Sequence, residues 1–193
     1  MTELFDADDD ATPLRPEERD ALVPTHVALR SELNELEQQN IAEADHWAFA
    51  RKRKILDEAF LRGLHRRMFN HVWRWAGDYR TTERNLGAAN YRIQPEVRQI
   101  IDDARYWNQH ETYAPDELAV RFHHRLVFVH PFPNGNGRWS RLAADLLIVQ
   151  QGGFRFTWGR ANLRAGGARR AYIDALHAAD KHDLAPLIGF ARS

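Results

Sequence analysis

Residues 130–141 read His-Pro-Phe-Pro-Asn-Gly-Asn-Gly-Arg-Trp-Ser-Arg, directly after an apolar segment. The run holds one base, one amide that could act as a ligand, two glycines and two guanidinium groups. Glycines remove Cβ atoms, so that backbone N–H groups can turn toward an anion. A helix starting near Arg138 would aim its positive end at the same point. Arg138 and Arg141 are three residues apart and would share a helix face, with phosphate oxygens as their natural target. His130 stands at the edge of this cradle and can take a proton from a hydroxyl near neutral pH. The pattern suits a nucleoside triphosphate.

Helical spacing surrounds the run. Leu118, Phe122, Leu126 and Val129 precede it, and Leu142, Leu146, Leu147 and Val149 follow as a mostly apolar stretch expected to be the central buried helix. Further out, Leu29, Leu33, Leu36, Asn40 and Ile41 predict a helix exposed on one side. Trp47, Ile55, Leu56, Phe60, Leu64 and Met68 predict a second, with a stop at Gly77. Val97, Ile100, Ile101, Ala104 and Trp107 predict a third, with Pro95 in its first turn. Gly152-Gly153 breaks the central helix, and Tyr172–Ala179 and Leu184–Phe190 read as one or two closing helices. Between Gly77 and Pro95, Tyr79, Thr81 and Thr82 and then Tyr91 and Ile93 flank Gly87-Ala88-Ala89-Asn90, which predicts two short strands around a turn.

The whole string His-Pro-Phe-x-x-Gly-Asn-Gly-Arg-x-x-Arg, set between two helices, resembles the signature of the Fic (Fic/Doc) family. The segment Phe156–Gly159 through Tyr172–Leu176 and Ala179-Asp180 is similar to the mobile-element-associated subgroup, of mobile mystery protein B type. The resemblance implies an all-α helical bundle with a small β-hairpin flap at 77–95. It also implies transfer of AMP from ATP, with Mg²⁺, onto a Ser, Thr or Tyr hydroxyl of a target protein. His130 would be the base. Gly135, Asn136 and Gly137 would form the anion hole, with a side-chain donor from Asn136. Arg138 would bind on the β-phosphate side, Arg141 would hold the γ-phosphate, and Tyr172 would line the adenine pocket. Tyr91 and Ile93 would dock the target segment at the flap. Asn134 stands where the family usually has an acidic magnesium ligand, and an amide oxygen without charge should bind a hard cation less well.

Some members of the family are held off by a helix whose Glu pairs with the second motif arginine. Here the stretch 25–45 contains Glu35 and Glu37, and the resemblance favours Glu37 paired with Arg141 as the inhibitory contact. A Doc-like phosphotransferase toxin is disfavoured, because Doc-type motifs replace the second glycine and lack the second arginine, and both Gly137 and Arg141 are present. A nucleotide-binding regulatory module with weak or no transfer is the other reading, suggested by Asn134.

Composition agrees with one compact enzyme domain at 25–193 behind an acidic, proline-containing arm at 1–24. The chain has 193 residues and 44% hydrophobic content. Lys plus Arg and Asp plus Glu are 27 each, so no overall field draws it to nucleic acid or anionic membrane. A local basic stretch, Arg155, Arg160, Arg164, Arg169 and Arg170 with Trp158, is better read as a solvated loop and helix start. Cysteine is absent, which excludes disulfides and thiolate chemistry. The acidic start lacks the basic and apolar regions of a signal peptide, and no stretch reaches membrane-spanning length, so a cytoplasmic location is expected. A toxin–antitoxin setting, with an antitoxin partner or self-inhibition, and a homodimer are left open.

Overall fold

The computed structural model describes residues 20–27, 29–159 and 167–193. Seven α-helices are seen among them: α1 (Arg30–Phe49), α2 (Glu58–Phe69), α3 (Ile93–Gln109), α4 (Pro115–Val129), α5 (Asn136–Gln150), α6 (Ala168–Asp180) and α7 (Ala185–Arg192). A 3₁₀ turn, Asn90–Arg92, leads into α3. The first 19 residues of the proposed arm, and Arg160 and Arg164 of the basic stretch, lie outside the described residues. Among the described residues no helix is long and apolar enough to cross a membrane.

Local chemistry sets the boundaries. Asp57 caps α2 by accepting the Phe60 N–H at 2.8 Å, a contact worth about 1 kcal/mol. Pro115 opens α4, where its missing N–H costs nothing. Trp47 belongs to α1 rather than to the second helix, and α2 ends at Phe69, well before Gly77. The end of the arm is tied down: Leu22 and Trp73 form an antiparallel bridge, with Val23 N–H to Val72 O and Arg74 N–H to Ala21 O, both at 2.9 Å.

Two apolar clusters share the central helix. Trp139, Leu142, Ala143, Leu146 and Leu147 of α5 face a core built with α1 to α4. Ala144 and Ile148 face a second cluster, in which Phe156, Ala175, Ala179, Leu187 and Phe190 close the tail over α4 and α5. Burial on both sides explains why this helix lacks a polar stripe.

The β-hairpin is not formed: no strand occurs at 77–95 among the described residues. The backbone groups that a hairpin would pair are taken elsewhere. Arg80 N–H bonds Pro131 O at 2.9 Å and Ala88 N–H bonds Val129 O at 3.1 Å. The buried Arg80 guanidinium donates to the carbonyls of Thr82, at 2.9 Å, and Ala88. Alternation in sequence predicts strands only if the ladder is free to form, and here the segment is laid along the end of α4 instead. Ile93, expected at the flap, is buried at the start of α3, whereas Tyr91 is 79% exposed.

Candidate active site

The motif forms the turn between α4 and α5. His130 ends α4 in the left-handed region, φ 52°, ψ 59°, a conformation that costs a non-glycine residue about 1 kcal/mol. Its carbonyl accepts Arg80 Nε at 2.7 Å, which pins that conformation. Gly87 presses from the other side: a Cβ there would stand 2.7 Å from His130 Cβ and 2.8 Å from Val129 O. Burial, then the nearby Arg80 and Arg84 guanidiniums, push the His130 imidazole down to about 4, although the Val127 carbonyl bonded to its ring opposes the shift. It is therefore neutral at pH 7. With one ring nitrogen bonded to that carbonyl, the other is left as a base.

Gly135 caps α5 at φ 78°, without a side-chain cap. A Cβ at this position would meet the Phe69 ring at 2.5 Å, so only glycine fits the approach. The first N–H groups of α5, from Asn136, Gly137 and Arg138, have no intrahelical acceptor and supply positive potential at the mouth of the turn. The Asn136 side chain does not add to them as expected. Buried, it donates to Phe132 O and accepts from Phe132 N–H, both at 2.9 Å, and so staples the loop shut. Phe132 is fully buried.

Asn134 is also engaged within the loop. Its Oδ1 accepts the Gly135 N–H at 2.6 Å, and its backbone carbonyl lies 3.1 Å from His65 Nε2. His65 Nδ1 accepts the Gly77 N–H at 3.0 Å, so Nε2 carries the proton and donates to Asn134 O. Burial lowers His65 to about 3, with Arg138 adding to the shift against the pull of the Asn134 carbonyl. It stacks on Phe132 at 3.7 Å. A neutral histidine thus joins the Gly77 turn to the motif loop.

The two arginines leave the first two turns of α5 toward different walls. Arg138 Nη1 pairs with Glu37 Oε2 at 2.6 Å, and its guanidinium carbon lies 5.0 Å from the Phe69 ring centre. Arg141 lies over Tyr172 at 5.4 Å and donates from Nε to Gly137 O at 3.1 Å. The expected ion pair of Glu37 is therefore corrected: its partner is Arg138, one turn earlier than Arg141. Glu35 is exposed and takes no part in this contact. Tyr172 packs beside this turn, its hydroxyl 3.2 Å from buried His123 Nε2 and 3.6 Å from where a Cβ on Gly137 would lie.

Mg²⁺ finds little to hold it. Among the described residues no three potential metal-binding side chains converge, and the Asn134 oxygen that would serve already accepts a hydrogen bond. This donor set does not fit a hard divalent cation held by the protein.

Sequence reasoning missed His65, Arg80, Trp73 and Asn40. Asn40 donates to Arg67 O at 2.8 Å and accepts from His71 N–H at 3.0 Å, closing the end of α2. The available signal was Glu37 and Asn40 on the Leu33, Ala44, Ala48 face of α1, polar residues at buried helical spacing.

The Fic/DOC family model matches residues 55–148, which span α2 to α5 and the whole motif. Residues 55–148 form a Fic/DOC family domain. Over 119 residues the chain is 34% identical to protein adenylyltransferase fic-1 of Caenorhabditis briggsae, covering 60% of this chain and 22% of that protein. Over 131 residues it is 27% identical to protein adenylyltransferase Fic of Aedes aegypti, covering 66% and 25%. The chain thus spans about a quarter of these relatives. Fic-1 of Caenorhabditis elegans (residues 134–508) superposes with TM-score 0.67 at 24% identity, covering 89% of this chain and 50% of that one. The N-terminal Fic domain of a Bartonella quintana effector, crystallised with ADP, superposes with TM-score 0.68 at 19% identity, covering 87% and 86%. At these identities the superpositions establish that the Fic domain has the shared all-α fold.

Proposed function

We propose that this Fic domain is a protein adenylyltransferase, moving AMP from ATP to a Ser, Thr or Tyr hydroxyl of a target protein. The observation that carries the reading is a neutral His130 at the start of the turn that leads into the uncapped N-terminus of α5, the helix that also bears Arg138 and Arg141. The names of the relatives point the same way. In the reaction the target oxygen attacks the α-phosphorus, and its proton passes to His130. The bond from the α-phosphorus to the bridging oxygen breaks, and pyrophosphate leaves with that oxygen. The backbone N–H groups of Asn136 and Gly137 at the Gly135 turn meet the developing charge on the α-phosphoryl oxygens. Arg138 takes the β-phosphate, Arg141 the γ-phosphate, and Tyr172 borders the base. The 77–89 segment, already laid on the end of α4, offers the rim on which a target would dock. Any Mg²⁺ would have to arrive with the nucleotide, because the chain's own donors at Asn134 are poorly built to hold it. A cytoplasmic setting suits the absence of cysteine.

Asn134 favours a second reading, a nucleotide-binding regulatory module with weak transfer, because its amide brings no charge and is engaged by Gly135. The two part on one test. Incubation with ATP, followed by mass spectrometry of hydroxyl-bearing acceptor proteins, should reveal AMP adducts and released pyrophosphate. Both should vanish in His130→Ala while ATP binding persists. Binding without adducts in the unaltered protein leaves the regulatory module.

A further inference from the structure

Both oxygens of Glu37 are committed. Oε2 takes Arg138 Nη1 and Oε1 takes the Trp73 indole N–H, each at 2.6 Å. The Glu37 side chain is 4% exposed and that of Arg138 is 34% exposed, so the carboxylate is the buried partner and the guanidinium the one that reaches solvent. Phe69, 5.0 Å away, bounds a second flank. A carboxylate that competes with phosphate must be able to withdraw when the ligand arrives. Glu37 is poorly placed to do so. It lies on the buried face of α1 between Leu33 and Asn40, and the Asn40 amide bolts that helix to Arg67 O and His71 N–H. Withdrawal would strip the indole of its acceptor and strand a buried charge. The contact uses one of the five N–H groups of Arg138.

Resting on the reading of the site as one that uses ATP, we propose that Glu37 is a positioning residue: with Trp73 and Phe69 it fixes the Arg138 guanidinium in the direction the β-phosphate requires. Removing the carboxylate then lowers transfer instead of releasing it, the opposite sign to autoinhibition.

The test measures kcat and KM for ATP in Glu37→Gln, Glu37→Asp and Trp73→Phe, with thermal melts and the ¹⁵N signal of the Arg138 Nε–H group. Gln keeps the shape and an acceptor for Trp73 but loses the charge facing Arg138. Its kcat should fall by about a hundredfold, the scale of a misplaced catalytic group, while KM for ATP moves far less. The Arg138 Nε–H signal should broaden, and Asp should recover part of the loss. Trp73→Phe, which keeps the Glu37 charge, should give a smaller drop in kcat and serves if the Gln variant does not fold. A rise in transfer on removing the carboxylate, or an unchanged kcat in folded variants, overturns the proposal. If the unaltered protein transfers nothing, the enzymatic reading fails separately, and the Arg138 signal decides: broadening in Glu37→Gln supports positioning, and an unchanged signal refutes it.

Discussion

The side-chain oxygen of Asn134 is spent within its own loop. Its Oδ1 accepts the Gly135 N–H at 2.6 Å and so stabilises the turn that makes α5 begin at Asn136. An aspartate would keep that bond with one oxygen and offer the other, with a full charge, to a cation beside the nucleotide. Asn134→Asp should therefore raise Mg²⁺-dependent transfer, read as initial rate against Mg²⁺ concentration. An unchanged Mg²⁺ dependence would contradict Asn134 as the point where metal affinity is limited. At this scale the motif was legible because each residue type states its own chemistry: His130, the glycines and the two arginines lie on one turn and the start of one helix, although the arginines reach different walls. The partners were not legible. Glu37 could be singled out but not matched, since the choice between Arg138 and Arg141 depends on how α1 crosses α5, which no local spacing encodes.

Between elements, the motif loop is held by two side chains that precede it by about 50 and 70 residues. Arg80 ties the 80–89 segment to His130 and Pro131, and His65 ties the Gly77 turn to Asn134. Arg80→Lys keeps the charge, but a single ammonium cannot reach three carbonyls in a planar fork. That variant should lose about tenfold or more in kcat with little change in ATP affinity, and segment 80–89 should become open to limited proteolysis. Wild-type protection of the segment in the variant would show that the clamp is dispensable. The helices were readable from periodicity wherever one face is apolar, as for α3 and α4. The hairpin was misread because a period of two reports exposure on alternate sides and not which hydrogen bonds form. Arg80 supplies those bonds from a side chain, and nothing near it in sequence marks it as buried.

Across the described residues, His65 and His123 are buried in the interior and His130 is half-buried at the motif loop, and all three are neutral at pH 7. Burial lowers His65 to about 3 and His130 to about 4, and His123 falls well below its ordinary value through burial and the nearby Arg141 and His124. Unfolded histidines bind a proton near pH 6.5, while the folded ones do so only some units lower. Within that window the unfolded chain holds more protons, so stability falls as pH falls below about 6.5. Each histidine contributes about 1.4 kcal/mol per pH unit, and three together roughly 4. Against a typical stability of about 5–15 kcal/mol, thermal melts should show a steep loss between about pH 6.5 and pH 5, with little change from pH 7 to 8. A melting temperature flat down to pH 5 would mean that these rings are hydrated and able to charge.

The proposed reaction hands the α-phosphate, and not the γ-phosphate, to a hydroxyl, with His130 as base. The measurement is parallel incubation of the protein and acceptor proteins with ATP labelled at the α- or the γ-phosphorus, using the unaltered chain and His130→Ala. Protein-bound label from the α-position only, lost in His130→Ala, is the predicted result. Label from the γ-position, or α-label that survives without His130, would contradict it.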